Sequence, residues 1–197
     1  MDVFARVKER LPAAQDATVS HGMLVIFVAP DAVLATAQKL KTEFDFDLFT
    51  DVTAVDWLGQ APRFEVVWHF YSTRHFARVR VKARVDEADP TVDSLLSLYG
   101  AARFMERECH DMYGIRFRGN PDLRPVLLYE GFQGHPLRKD YPKQQEQPLV
   151  PYRSGQAEAI GTRLYPGSGS TTGPAEPPRS LPAAGGSGAD GLRSPRS

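Results

Sequence analysis

The sequence predicts an α+β fold of two layers, a mixed β-sheet covered by helices, followed by an extended C-terminal arm and a disordered tail. Three observations carry this expectation. Two neighbouring stretches alternate apolar and polar side chains with a period of two, amphipathic stretches at three-and-four spacing lie on both sides of them, and regular periodicity stops after Gly114.

Taken in order, Val3, Phe4, Val7 and Leu11 share one face of a short helix that Pro12 should end. Strands follow at 18–20 and 23–29, flanking His21-Gly22 as a tight hairpin turn. Asp31 is placed to cap a second helix whose apolar stripe is Val33, Leu34, Ala37, Leu40 and Phe44, with the stem of Lys41 tolerated at its edge. Residues 46–55 form a strand of mixed pattern. Phe64, Val66, Trp68 and Phe70 then alternate with Glu65, Val67, His69 and Tyr71. In the next strand Ala77, Val79, Val81, Ala83 and Val85 alternate with a basic row, Arg78, Arg80, Lys82 and Arg84.

Asp89-Pro90-Thr91 should open a helical stretch through Leu95, Leu96 and Tyr99 that Gly100 breaks. A further helix from Ala101 carries the stripe Ala102, Met105, Cys109 and Met112, with Gly114 at its C-cap. Beyond it, Pro and turn formers surround Val126, Leu127, Leu128, Tyr129 and Phe132, which need burial but lack periodicity. These residues predict an arm that buries its apolar groups on another surface. Half of 154–197 is Gly, Pro and Ser, too little apolar surface to offset ordering. The expected organisation is a domain at 1–114, a docking arm at 115–153 and a disordered tail at 154–197.

Composition narrows the function. The 197 residues carry 24 basic and 24 acidic side chains, so the global attraction typical of a nucleic-acid binder is missing. The one Cys cannot build a disulfide or a multi-Cys metal centre within the chain, which suits a reducing compartment. The longest apolar run, 23–30, is far short of the ~20 residues that cross a bilayer.

The densest cluster of reactive side chains is Glu106-Arg107-Glu108-Cys109-His110-Asp111. Glu106 and His110, one turn apart, could share a metal, but the matching pair that a carboxylate bundle requires from a second helix is missing. Salt links and backbone capping at the helix–arm junction explain the acids better, with Arg107 and Asp111 available as an i,i+4 pair. Cys109 sits on the apolar stripe and reads as a buried thiol. The basic row reads as a solvated face or a contact with an acidic partner, with nucleic acid the weaker alternative. Gly134-His135-Pro136-Leu137-Arg138-Lys139-Asp140-Tyr141-Pro142 is stiffened by its prolines and suits recognition in extended form, either along another protein or folded back on its own domain.

Glu106-Arg107-Glu108, Asp111-Met112-Tyr113-Gly114-Ile115, residues 119–127 and the stretch from Gly134 to Pro142 closely resemble the 30-kilodalton subunit family of respiratory complex I, the bacterial NADH-quinone oxidoreductase. The likeness takes in Ala54-Val55-Asp56-Trp57 and the Phe64–Ser72 strand, and departs from the family pattern at Asn120 and Pro125. It implies a non-catalytic structural and assembly subunit in the peripheral arm of a proton-translocating NADH:quinone oxidoreductase. FMN and iron–sulfur clusters would be held by partner subunits and none by this chain. The C-terminal arm would wrap the quinone-site subunit of 49-kilodalton type, with membrane association only through the complex, on the cytoplasmic side of the bacterial inner membrane. In that picture Glu106, Arg107, Glu108 and Asp111 fix the start of the arm beside Gly114, while Gly134, His135, Pro136, Leu137, Arg138, Lys139, Asp140, Tyr141 and Pro142 form the segment that anchors it to the partner. The alternative is the homologous subunit of a membrane-bound hydrogenase or another quinone-reducing complex.

Overall fold

The two period-two stretches become the middle of a five-stranded sheet. In the computed structural model, which describes residues 3–11, 16–144, 146 and 147, the strands are β1 (Asp16–Ser20), β2 (Met23–Phe27), β3 (Leu48–Asp56), β4 (Phe64–Ser72) and β5 (Ala77–Val85), in the order β1-β2-β5-β4-β3. β2 and β5 run parallel and every other pair is antiparallel, so the sheet is mixed. The described residues belong to one unit, Met1–Leu149, and both the expected tail and the Pro12 stop lie outside them.

The register puts Phe64, Val66, Trp68 and Phe70 on the same face as Val79, Val81 and Ala83, and the helices α1 (Val3–Arg10) and α2 (Val33–Phe44) add Val7, Leu40 and Phe44 to that core. Fully burying each of these large side chains contributes about 1.5–3 kcal/mol before entropy is counted. Tyr99 closes one end, its hydroxyl donating to the Phe46 carbonyl at 2.7 Å. Lys41 lies at the stripe's edge as expected, donating to the Leu98 carbonyl with its ammonium 4.8 Å from the centre of the Tyr99 ring. At the hairpin, His21 and Gly22 both take positive φ, 51° and 72°, which fits the right-handed twist of β1 and β2.

Three local expectations are corrected. Asp31 does not cap α2, because a 3-10 turn at Pro30–Ala32 runs directly into the helix and Ala32 occupies the cap without a side-chain bond. The stretch after Pro90 is not helical: Thr91–Asp93 is strand β6, and only a short turn at Leu95–Tyr99 follows. Its partner is β7 (Arg116–Arg118), parallel to β6 and inside the supposedly aperiodic arm. A pairing across more than twenty residues of chain leaves no local periodicity to read. Between them runs α3 (Ala102–Tyr113), which packs on the edge strand β3 and ends, as expected, at Gly114 with φ 76°. No described helix is long and apolar enough to cross a membrane.

Candidate functional site

α3 carries almost every reactive residue singled out in the sequence, and its buried acids hold backbone in place. Glu106 is wholly buried and accepts hydrogen bonds from Ser94 Oγ at 2.7 Å, the Leu95 amide at 2.7 Å and Asn120 Nδ2 at 2.9 Å. It therefore ties the segment after β6 to the residues after β7. Burial pushes its carboxyl above the usual range, against the pull of those three donors.

One turn further on, Arg107 and Asp111 do not pair with each other. Arg107 donates to the carbonyls of Arg124 (2.8 Å) and Pro125 (2.9 Å), and Asp111 Oδ2 accepts the amides of Val126 (2.7 Å), Leu127 (3.0 Å) and Leu128 (3.5 Å). The helix thus grips a loop with a cation on its carbonyls and an anion on its amides, each worth more than a bond in an exposed ion pair. Glu108 is exposed and, among the described residues, holds nothing. Cys109 is buried, its thiol pushed up by that burial. Glu106 and His110 are committed to separate partners, the latter through Nδ1 to the Ile115 carbonyl at 2.9 Å, so they do not converge on one point.

The segment from Gly134 to Pro142 closes the C-terminus of α3. A helix leaves its last carbonyls without intrahelical donors. Here His135 Nδ1 donates to Asp111 O (2.9 Å), the Leu137 amide to Met112 O (3.1 Å) and Arg138 Nε to Tyr113 O (2.6 Å). Burial, aided by nearby Arg138, lowers the pKa of His135, which favours the neutral ring with its proton on Nδ1. Gly114 is required twice over: its φ is left-handed, and a Cβ there would stand 2.5 Å from both Arg138 Nη2 and His135 Nε2. At Gly134 a Cβ would meet the Tyr141 ring at 3.0 Å, and that ring stacks on Phe132.

Arg63, unmarked in the sequence reading, fastens the other end. Its guanidinium is buried and bonds Asp56 through Nε (2.9 Å) and Nη2 (2.8 Å), Asp140 through Nη2 (2.7 Å) and Nη1 (3.1 Å), and Glu87 at 2.5 Å. The Lys139 amide adds a bond to Asp56 Oδ2 at 2.8 Å. Hydrogen bonds from Arg63 hold the carboxyls of Asp56 and Asp140 below the usual range. His135, Arg138, Lys139 and Asp140 were expected to anchor the arm to a partner, with folding back on its own domain as the other arrangement the sequence allowed. Within this chain His135, Arg138, Asp140 and the Lys139 amide bond its own domain, the last two because the buried Arg63–Asp56 pair at the β3–β4 connection has capacity left over. The side chain of Lys139, Leu137 and Pro142 remain exposed, and Pro136 is half-buried. The available signal for Arg63 was a charged pair flanking two strands at the apolar Phe64; its distant partner Asp140 left none.

What this framework presents outward is apolar. Phe104 is 60% exposed, Leu127 61% and Leu137 52%, with Tyr129 and Val126 also exposed. Beside Leu128, a groove of about 500 Å³ is lined by Arg107, Arg124, Pro125 and Glu130.

A family model described as respiratory-chain NADH dehydrogenase, 30 Kd subunit, matches residues 26–147. The chain belongs to this family. It is 43% identical over 140 residues to an NADH-quinone oxidoreductase subunit of Citrifermentans bemidjiense, covering 71% of this chain and 87% of that one. It is 45% identical over 130 residues to the mitochondrial NADH dehydrogenase [ubiquinone] iron-sulfur protein 3 of Candida albicans, covering 65% of this chain and 46% of the relative. Among solved structures, the trypsin-resistant fragment of Nqo5 superposes with a TM-score of 0.56 at 28% identity, over 61% of this chain and 99% of the fragment. A chain of the membrane-bound sulfane sulfur reductase, an archaeal respiratory membrane complex, shares the fold at a TM-score of 0.64 and 24% identity, over 83% of this chain and 89% of that one.

Proposed function

We propose that this chain is a structural and assembly subunit in the peripheral arm of a proton-translocating NADH:quinone oxidoreductase, and that it docks on the quinone-site subunit of 49-kilodalton type. The family supplies the complex. The observation that carries the role is the outward apolar surface formed by Phe104 on α3 and by Leu127, Tyr129 and Leu137 on the segment that α3 and Arg63 bond into place. A monomer gains nothing from rigidly displaying such side chains, whereas an interface loses less entropy when they are fixed beforehand. The acids of α3 that could have served chemistry are used as backbone acceptors. Electron transfer from NADH to quinone then belongs to FMN and iron–sulfur centres in other chains. The chain meets the membrane, on the cytoplasmic side, only through the complex.

The test is purification of the complex through a tag on this chain carrying Phe104→Glu and Leu127→Glu. Both positions are exposed, so the variant should fold, keep its circular dichroism and lose the quinone-site subunit together with flavin and iron–sulfur absorbance. Stoichiometric recovery of those partners with the variant would overturn the docking reading.

A further inference from the structure

Among the described residues, α1 and α2 pack on the core face of the five-stranded sheet and α3 lies along its β3 edge, so the second face over β2, β5 and β4 takes no part in the docking surface above. Its rows, read across the register, include Tyr71–Arg78–Met23 and His69–Arg80–Val25, followed by Val67–Lys82–Phe27 and Glu65–Arg84. Val25 and Val67 are buried there but lie outside the main core cluster. Glu65 answers Lys82 at 2.7 Å and Arg84 at 3.5 Å, which neutralises one end of the basic row.

At the other end the acid in the row is Asp51, in register with His69 on the far side of that ring from Arg80, and it forms no ion pair with Arg80. Among the described residues Arg78 has no ion pair and lies only over the Tyr71 ring, and Arg80 has none while its Nε is shielded from solvent without an acceptor. A shielded, unpartnered guanidinium nitrogen is costly unless something supplies an oxygen. The His69 ring between Asp51 and Arg80 has its pKa lowered by burial and then by Arg80, against the opposing pull of Asp51. We propose that this face is a second docking surface, and that it takes an acidic segment of another protein in the assembly, whose carboxylates pair with Arg78 and Arg80.

Charge and composition decide the class of occupant. The unpaired charge is two guanidinia set within Tyr71, Met23 and Val25, and Arg, Tyr and Met are side chains enriched at protein interfaces. A nucleic-acid surface would need more cations and a basic chain, and this one is neutral overall. Alternate residues of a strand stand ~7 Å apart, so Arg78 and Arg80 match carboxylates spaced along an extended segment or on successive turns of a helix. Forked guanidinium–carboxylate bonding would give both register and specificity.

The inference rests on the subunit reading above but fails separately from it, since the chain can remain in the complex with this face bare. The test is arginine modification by phenylglyoxal, read by mass spectrometry, on the assembled complex and on the free full-length chain, with exposed Arg74 as internal reference. Arg78 and Arg80 should react at least about tenfold more slowly in the complex, as expected for desolvated interface groups. A photo-reactive side chain introduced at exposed Phe76, just before β5, should also cross-link to an acidic stretch of a neighbouring subunit. Equal reactivity in the two states would overturn the proposal. So would protection that disappears after nuclease treatment or delipidation, which would assign the face to nucleic acid or lipid. Arg78→Glu with Arg80→Glu, which leaves the opposite, core face untouched, should weaken retention of the cross-linked subunit while sparing the partner lost in the Phe104 and Leu127 variant.

Discussion

The sheet and the segment from Asn120 to Pro142 are held together by different forces. In the sheet, backbone ladders and buried side chains such as Trp68, Phe64 and Phe70 act together, and the loss of one is felt throughout. The 120–142 segment has no strand or helix. It is fixed by side chains reaching across to it: Arg107, Asp111 and Asp56 bond its backbone, Glu106 the Asn120 side chain, and Arg63 the Asp140 carboxylate. The first kind of order is cooperative and indifferent to charge. The second depends on a handful of ionised groups and can be released without unfolding the core, which suits a segment that must hold its shape for a partner.

The contrast can be broken at the strongest points of each region. Trp68→Ala should cost about 3–5 kcal/mol in chemical denaturation and lower protection from hydrogen exchange in every strand. Arg63→Ala should cost up to a similar amount, about 3–5 kcal/mol, because Asp56 is left buried without its cation. Here exchange should rise first at residues 134–142. If Arg63→Ala instead loosened all strands equally, the two regions would be one cooperative unit.

Smaller changes sharpen the same division. Asp111→Ala removes the acceptor of three amides and should cost about 1–3 kcal/mol, confined to exchange at Val126–Leu128, with Asp111→Asn recovering part of it. Gly114→Ala should cost about 1–2 kcal/mol for its left-handed φ, plus displacement of His135 and Arg138.

Acidification gives the mildest perturbation. His135 has a lowered pKa in the folded chain, so the stability it lends is complete above the unfolded value near 6.5 and declines as pH falls below it. Asp56 and Asp140 are lowered by Arg63; their contribution is complete above the ordinary carboxylate value near 4 and is lost as pH falls through their folded values. Protection factors at 134–142, taken relative to the intrinsic exchange rate at each pH, should therefore fall from pH 7 to 5, and fall again below 4, ahead of the sheet.

The same division governs what was readable in advance. The ends of β4 and β5, the helix α3 and its Gly114 cap follow from periodicity and backbone chemistry, which are local. β6, β7 and the Arg63–Asp140 contact are set by pairings between distant parts of the chain, so their residues carry no local pattern. The family motifs identified Glu106, Asp111, His135, Arg138 and Asp140 as a group. They did not reveal that each of these holds this chain's own backbone or buried arginine, leaving Phe104 and Leu127 to face outward.

Hydroxyl-radical footprinting of the free full-length chain and of the assembled complex tests the central claim most directly, that the segment is anchored at home and displays its apolar side chains to a partner. Phe104, Leu127, Tyr129 and Leu137 should be oxidised in the free chain and protected in the complex, while His135 and Tyr141 react alike in both. Protection of His135 and Tyr141 on assembly, with Phe104 and Leu127 oxidised equally in both states, would contradict it.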